Sequence, residues 1–263
     1  MQRSMSLSSR PWGRNYTLDD IASMPVPQPT KTYTPVPQAT LYKMWSTDLA
    51  EVGYNIQSEE HWASNDKDEF ISIVTVGRPN NRDGVGEWSW QAALINSYNK
   101  QVSIRTAVGA SVFVCTNGCL SAEFAMRAKH TTHVWDRIEG FIARSVDNMS
   151  ERLNSINRLF LAYKAADASS DRQVEHVICR AYKSGIIPAS GIGQVLDHWW
   201  TPEHPEFKDR NVWSLYNAFT SYDRGRSLFQ RTSRVNRLHA LLEDEFAIGE
   251  ATPQRYVESR LEN

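Results

Sequence analysis

The sequence predicts an α+β fold: a small antiparallel sheet packed against long helices, with an extended Pro-rich N-terminal arm. Three observations carry that expectation. Six of the eleven prolines fall before residue 40. Segments rich in β-branched residues crowd into 54–116, and from residue 119 to about residue 250 apolar residues recur at spacings of three and four. At 263 residues the chain can build one sizeable core, so 40–263 reads as a single α+β domain behind an arm of 1–39.

The arm is defined by Pro11, Pro25, Pro27, Pro29, Pro35 and Pro37. Each proline removes a backbone donor and biases its predecessor to extended geometry, which predicts an irregular or polyproline-like segment. From Leu41 the pattern turns helical: Leu41, Met44, Trp45, Leu49 and Val52 share a face, with Thr40 as N-cap and Gly53 as the stop. Glu69–Val76 is dense in β-branched residues and ends at Gly77. Trp88, Trp90, Ala92 and Leu94 alternate with polar or small residues, as in a half-buried strand. Asn96–Lys100 closes a hairpin into Val102–Ala107, and Ser111–Cys115 is a further strand. Val134, Ile138, Phe141, Val146, Met149, Leu153, Ile156, Phe160 and Tyr163 then predict one long helix, the strongest periodicity in the chain. Ser170 with Gln173 signals a capping box for a helix ending near Gly185. Helices over Asn211–Tyr222 and Arg231–Phe246 complete the set.

Composition limits the function classes. No stretch approaches the ~18 uncharged apolar residues of a membrane span. The first fourteen residues carry Arg3, Arg10 and Arg14 without an apolar core, unlike a signal peptide. Three cysteines argue against a disulfide framework and for a reducing compartment, so the expected location is the cytoplasm. The formal net charge of −1 gives no global cationic field, so any nucleic-acid binding must rest on a local patch.

Neither a phosphate-binding loop of the GxxxxGK[ST] type nor HExxH nor GxSxG occurs. Gly191-Ile192-Gly193 reads as a helix entry. Cys115 and Cys119 with His130 and His133 loosely imitate a zinc set at uncommon spacing. Asp197, His198, Glu203 and His204 form a second cluster that the flanking Trp and Pro residues make a rigid aromatic loop. No metal or other cofactor is expected from either, and no catalytic set is legible. Arg224, Arg226, Arg231, Arg234 and Arg237 fall within fourteen residues free of acids, a footprint suited to phosphates. Lys100 and Arg105, with Trp88, Trp90 and Tyr98 nearby, suggest a strand platform for stacking bases. For both features a solvated helix start or a core-facing aromatic row is the competing reading.

The segment 95–131 resembles the phage/plasmid-like protein family, which is itself catalogued as a domain of unknown function. The resemblance rests on Asn96-Ser97, on Val112–Cys115 with Asn117, and on Lys129-His130-Thr131. Lys31–Val36, Asn211–Thr220 and Arg231-Thr232 extend it across most of the chain past residue 30. Tyr98 departs from it, standing where the family often has histidine. The resemblance implies an origin in a phage, prophage or plasmid and supplies no catalytic residues.

The function expected from these readings is a non-enzymatic phage or plasmid DNA-binding protein. Single-stranded DNA is favoured as the partner, in replication, recombination or transcription. The alternative is a protein-interaction module that redirects a host or phage enzyme or blocks host defence. Homo-oligomerisation is left open.

Overall fold

The computed structural model describes residues 13–77, 88–112, 123–222 and 228–248. The fold is α+β, with six antiparallel strands in sequence order: β1 (Arg14–Tyr16), β2 (Asn55–Ala63), β3 (Glu69–Gly77), β4 (Trp88–Ser97), β5 (Ile104–Val112) and β6 (Glu123–Ala128). The helices are α1 (Leu18–Ala22), α2 (Gln38–Glu51), α3 (Trp135–Asp147), α4 (Met149–Ala165), α5 (Asp171–Lys183), α6 (Gly191–Trp200), α7 (Val212–Tyr222) and α8 (Leu228–Glu245). Two compact units result. One takes the chain up to Ser150 together with Asp223–Asn236, and the other takes Glu151–Tyr222 and the chain from Arg237.

In the first unit one row of paired residues crosses four strands of the meander. His61 faces Ser72, Ser72 faces Leu94, and Leu94 faces Thr106. Because side chains alternate across a strand, this row shares one face with Phe70 and Asn96. There Ala63, Phe70 and Tyr98 pack with Ile21, Met24 and Ala39. Ile71, Ile73, Ala93, Ile95 and Ala107 make a separate apolar cluster on the opposite face. Helix α2 packs on α1, α3 and β2, and α3 packs on β6.

The second unit is helical. Phe160 and Tyr163 of α4, Trp213 and Tyr216 of α7 and His239 of α8 form an aromatic core. Phe160 and Trp213 have ring centroids 4.7 Å apart, and Tyr216 stacks on His239 at 5.0 Å. Burying an aromatic or large aliphatic side chain stabilises by roughly 1.5–3 kcal/mol, so this cluster anchors the unit.

Several expectations are corrected. The helix foreseen over 134–163 is two helices, α3 and α4, separated at Asn148. There the Asn148 amide nitrogen Nδ2 donates to the Arg144 carbonyl at 2.9 Å, a side-chain bond that competes with helix continuation. Strands also lie outside 54–116. β1 lies within the expected arm, between Pro11 and Pro25, and β6 has a helix-favouring composition that pairing with β5 overrides. Helix α2 begins at Gln38 with Pro37 at its cap, not Thr40. Asp197–Trp200, expected in a loop, is the last turn of α6. Strand β4 is buried on both faces from Ala92 to Ser97, because it lies inside the sheet with both surfaces covered. Ser111 and Val112 end β5, and the rest of the expected 111–115 strand lies outside the described residues.

Candidate functional site

Between α2 and the sheet lies a layer of buried polar side chains that ends at the exposed Glu59 of the Glu59-x-His61 pair on β2. Residues two apart on a strand share a face, so Glu59 and His61 point the same way. Gln38 Nε2 donates to Ser72 Oγ at 2.9 Å, and that oxygen is 2.9 Å from His61 Nδ1. On its other side His61 Nε2 stands 3.6 Å from Glu59 Oε1, while the Tyr42 hydroxyl donates to Glu59 Oε2.

At 3.6 Å the Glu59 carboxylate stands beyond hydrogen-bond reach of His61 Nε2, which has no hydrogen-bond partner among the described residues, so their contact is electrostatic. Ser72 Oγ accepts from Gln38 Nε2 and bonds His61 Nδ1. Burial lowers the pKa of His61, opposed by Glu59. Burial also raises the Tyr42 phenol, and the Glu59 hydrogen bond adds to that. The series of carboxylate, imidazole and hydroxyl resembles a nucleophile-activating set, but Ser72 is 1% exposed, and a nucleophile must reach its substrate.

Three segments named in the sequence meet beside this layer. Asn96 Nδ2 donates to the Val36 carbonyl at 2.8 Å. The Tyr33 hydroxyl reaches the carbonyls of Ser97 and Tyr98 at 3.3 and 3.1 Å. Tyr33 and His130 have ring centroids 5.3 Å apart. Lys31–Val36, Asn96-Ser97 and Lys129–Thr131 therefore form one structural knot. Burial lowers the pKa of His130, with the Thr34 backbone opposing it. Burial likewise pushes the Tyr33 phenol up to about 12. Gln38 Oε1, Asn96 Oδ1 and Thr106 Oγ1 have no hydrogen-bond partner among the described residues.

Helix α2 is bordered by two open grooves that share Thr47 and Glu51. One, of about 590 Å³, runs between α2 and β2 and reaches Tyr42, Ile56 and Glu59. The other, of about 820 Å³, runs between α2 and α3 over Met44, Val52, Ile142 and Val146. Asp48, Glu51, Glu139 and Asp147 line this second groove, with Lys43. Burial raises the Asp48 carboxyl, and Glu51, Asp147 and Glu139 raise it further. The Arg144 guanidinium lies over Gly140 on the same helix.

Those residues expected to bind nucleic acid that the structure describes fall on β4, β5, the hairpin between them and α8. Tyr98 is a core residue, 6% exposed, edge-on to Phe70 at 4.7 Å, with its hydroxyl accepting the Gln38 N–H at 3.0 Å. Trp88 and Trp90 sit on alternate positions of β4, and Trp90 is half-buried. Arg105 pairs with Ile95, which places it on the opposite face of the sheet from Trp90. Arg105 is half-buried and donates from Nε to Ser103 Oγ at 3.2 Å. Lys100 ends the hairpin with φ +66°, its Nζ 4.8 Å above the Tyr33 ring. Arg231 and half-buried Arg234 are one turn apart on α8, while Arg224 and Arg226 lie outside the described residues.

Cys115 and Cys119 also lie outside the described residues. His133 pairs with Asp136 at 3.2 Å. Among the described residues no group of three or more His, Cys, Asp or Glu side chains is placed to hold a metal. No described helix is long and apolar enough to cross a membrane.

Sequence reasoning missed Glu59 and His61, which stand two apart in a segment given no strand there. Gln38, Tyr42 and Ser72, their partners from other elements, carried no local signal. Neither the curated proteins nor the solved structures contain a match to this chain. A family model does match, over residues 28–242, most of the chain and all of the polar layer and the knot. The chain belongs to the family described as domain of unknown function DUF932.

Proposed function

We propose that this is a non-enzymatic protein of a phage or plasmid that works in the host cytoplasm by binding another protein. In this reading it redirects a host or phage enzyme or blocks a host defence. The observation that carries it is the groove between α2 and α3, where Asp48, Glu51, Glu139 and Asp147 crowd around an apolar floor. Burial raises the Asp48 carboxyl first, and the neighbouring Glu51, Asp147 and Glu139 raise it further, each carboxylate adding to the cost of ionising the next. Such a surface repels phosphates and suits a basic partner with apolar anchors.

A second reading, binding of single-stranded DNA, is favoured by Arg231 and Arg234, one turn apart at the start of α8 after an acid-free run. The two readings separate experimentally. A photo-cross-linking residue at Val52, 45% exposed on the rim of the groove, is expected to give a discrete protein adduct in the host cell. That adduct should disappear in Glu139→Lys. Gel shifts with single- and double-stranded oligonucleotides at low salt should show no complex. A salt-dependent DNA complex with no cross-linked adduct would overturn the protein-binding reading in favour of the DNA reading.

A further inference from the structure

Strand β2 has nine residues, but β1 pairs with only three of them: Arg14 with Ala63, Asn15 with Trp62 and Tyr16 with His61. The pairing stops there for a reason written in the sequence. Thr17 caps α1 through a capping box with Asp20, so the chain turns from strand into helix immediately after Tyr16. Burial along β2 changes at the same point. His61, Trp62 and Ala63 are buried, whereas Asn55, Gln57, Ser58 and Glu59 are exposed and Ile56 and Glu60 half-buried. Among the described residues no strand pairs with the outer side of Asn55–Glu60. A row of backbone donors and acceptors is therefore presented in line with β1, beside the groove of Tyr42, Ala50, Glu51, Ile56 and Glu59.

We infer that this open edge receives an extended, lysine- or arginine-bearing segment of a partner protein, added as a strand that continues the line of β1. Backbone pairing over Ser58–Glu60 supplies the affinity, and alternate side chains of the added strand enter the groove beside α2. The charge selects the occupant. Glu59 and Glu60 lie on the edge and Glu51 lies across the groove, so a second copy of this chain would set acids against acids, while a cationic strand would be attracted. The register shift between Ile56 and Ser58 bends the strand at Gln57 and limits how far the pairing extends. The inference takes its class of partner from the protein-binding reading but uses the sheet edge and the groove beside it, which shares only Thr47 and Glu51 with the groove between α2 and α3.

The test is hydrogen–deuterium exchange on the full chain with a synthetic alternating peptide, Lys-Thr-Lys-Val-Lys-Thr-Lys. Amide exchange within Ser58–Glu60 should slow by tenfold or more. The same peptide with proline at its threonine and valine positions, which cannot donate backbone bonds, should give no protection. Glu59→Lys should abolish the protection, as should Glu51→Lys, which leaves the Tyr42–Glu59–His61 contacts intact; melting curves confirm that each variant is folded. Glu139→Lys should leave protection at β2 unchanged. Equal protection by the proline peptide overturns strand addition. Protection confined to α2 and α3 overturns the edge but keeps the protein-binding reading, and absence of protection anywhere removes both.

Discussion

Asn96 is fully buried on β4, and its amide holds the Val36 carbonyl just before α2 begins. Replacing it by alanine leaves that carbonyl unsatisfied in a dry site, and Asn96→Ala should lower stability by about 1–3 kcal/mol, read as a shift in urea midpoint. Tyr33→Phe removes one hydroxyl shared between two carbonyls and should cost about 1 kcal/mol. Tyr33 was legible only as a letter in a family resemblance, and Asn96 as that and as the start of a hairpin. Their meeting was not, because the strand register that aligns residue 96 with the approach to α2 depends on non-local pairing. Tyr98 shows the same limit from the other side. Aromatic, two residues from a lysine and at a hairpin, it reads as a stacking residue, yet the arm covers it and uses its hydroxyl to cap Gln38.

Elements with local punctuation were the legible ones. Ser170 caps α5, its side chain accepting from Gln173 N, and Gly185 closes that helix with φ +70°. Ser170→Ala should lower stability by about 1 kcal/mol, and Gly185→Ala by a similar amount, because alanine is strained at that angle. Gly193 gives the opposite sign. It lies within α6, and an added methyl would meet nothing within 4 Å, so Gly193→Ala should raise stability by about 0.5–1 kcal/mol. Thermal melts of the three variants side by side would check both directions. The single long helix failed for a reason of the same kind in reverse. Apolar spacing continues unbroken across Asn148, so periodicity carries no mark of the side-chain bond that ends α3. Strand β6 failed because Ala, Met, Arg and Glu favour helix until a neighbouring strand offers them a ladder.

At the scale of the whole molecule, two buried histidines and the half-buried His239 contribute to the response to acid. His61 and His130 are lowered by burial, and His239, bonded through Nδ1 to the Tyr163 hydroxyl, is pushed down to about 4. A histidine lowered in the folded state binds its proton more readily once unfolded. Its stabilising contribution is complete above the ordinary value of 6.5 and is lost as pH falls toward the folded value. Stability should therefore decline from about pH 6.5 to about pH 4. His239→Gln should flatten that decline, most visibly at its lower end, in melting temperatures measured across the range. A variant that melts with an unchanged pH slope would remove His239 from the account.

The division into units has a consequence for how the protein is made. The chain leaves the first unit after Ser150, inside α4, and returns to it for Asp223–Asn236 before leaving again inside α8. Synthesis is vectorial, at ~5–20 residues per second, so the first unit waits several seconds after its sheet has emerged for its last segment. Throughout that interval the second unit's helices α5, α6 and α7 emerge and can close on α4. A nascent chain stalled near residue 200 would thus expose a sheet still lacking part of its own unit, and ribosome-bound chains of increasing length should gain protease resistance in the first unit only after residue 236 clears the exit tunnel.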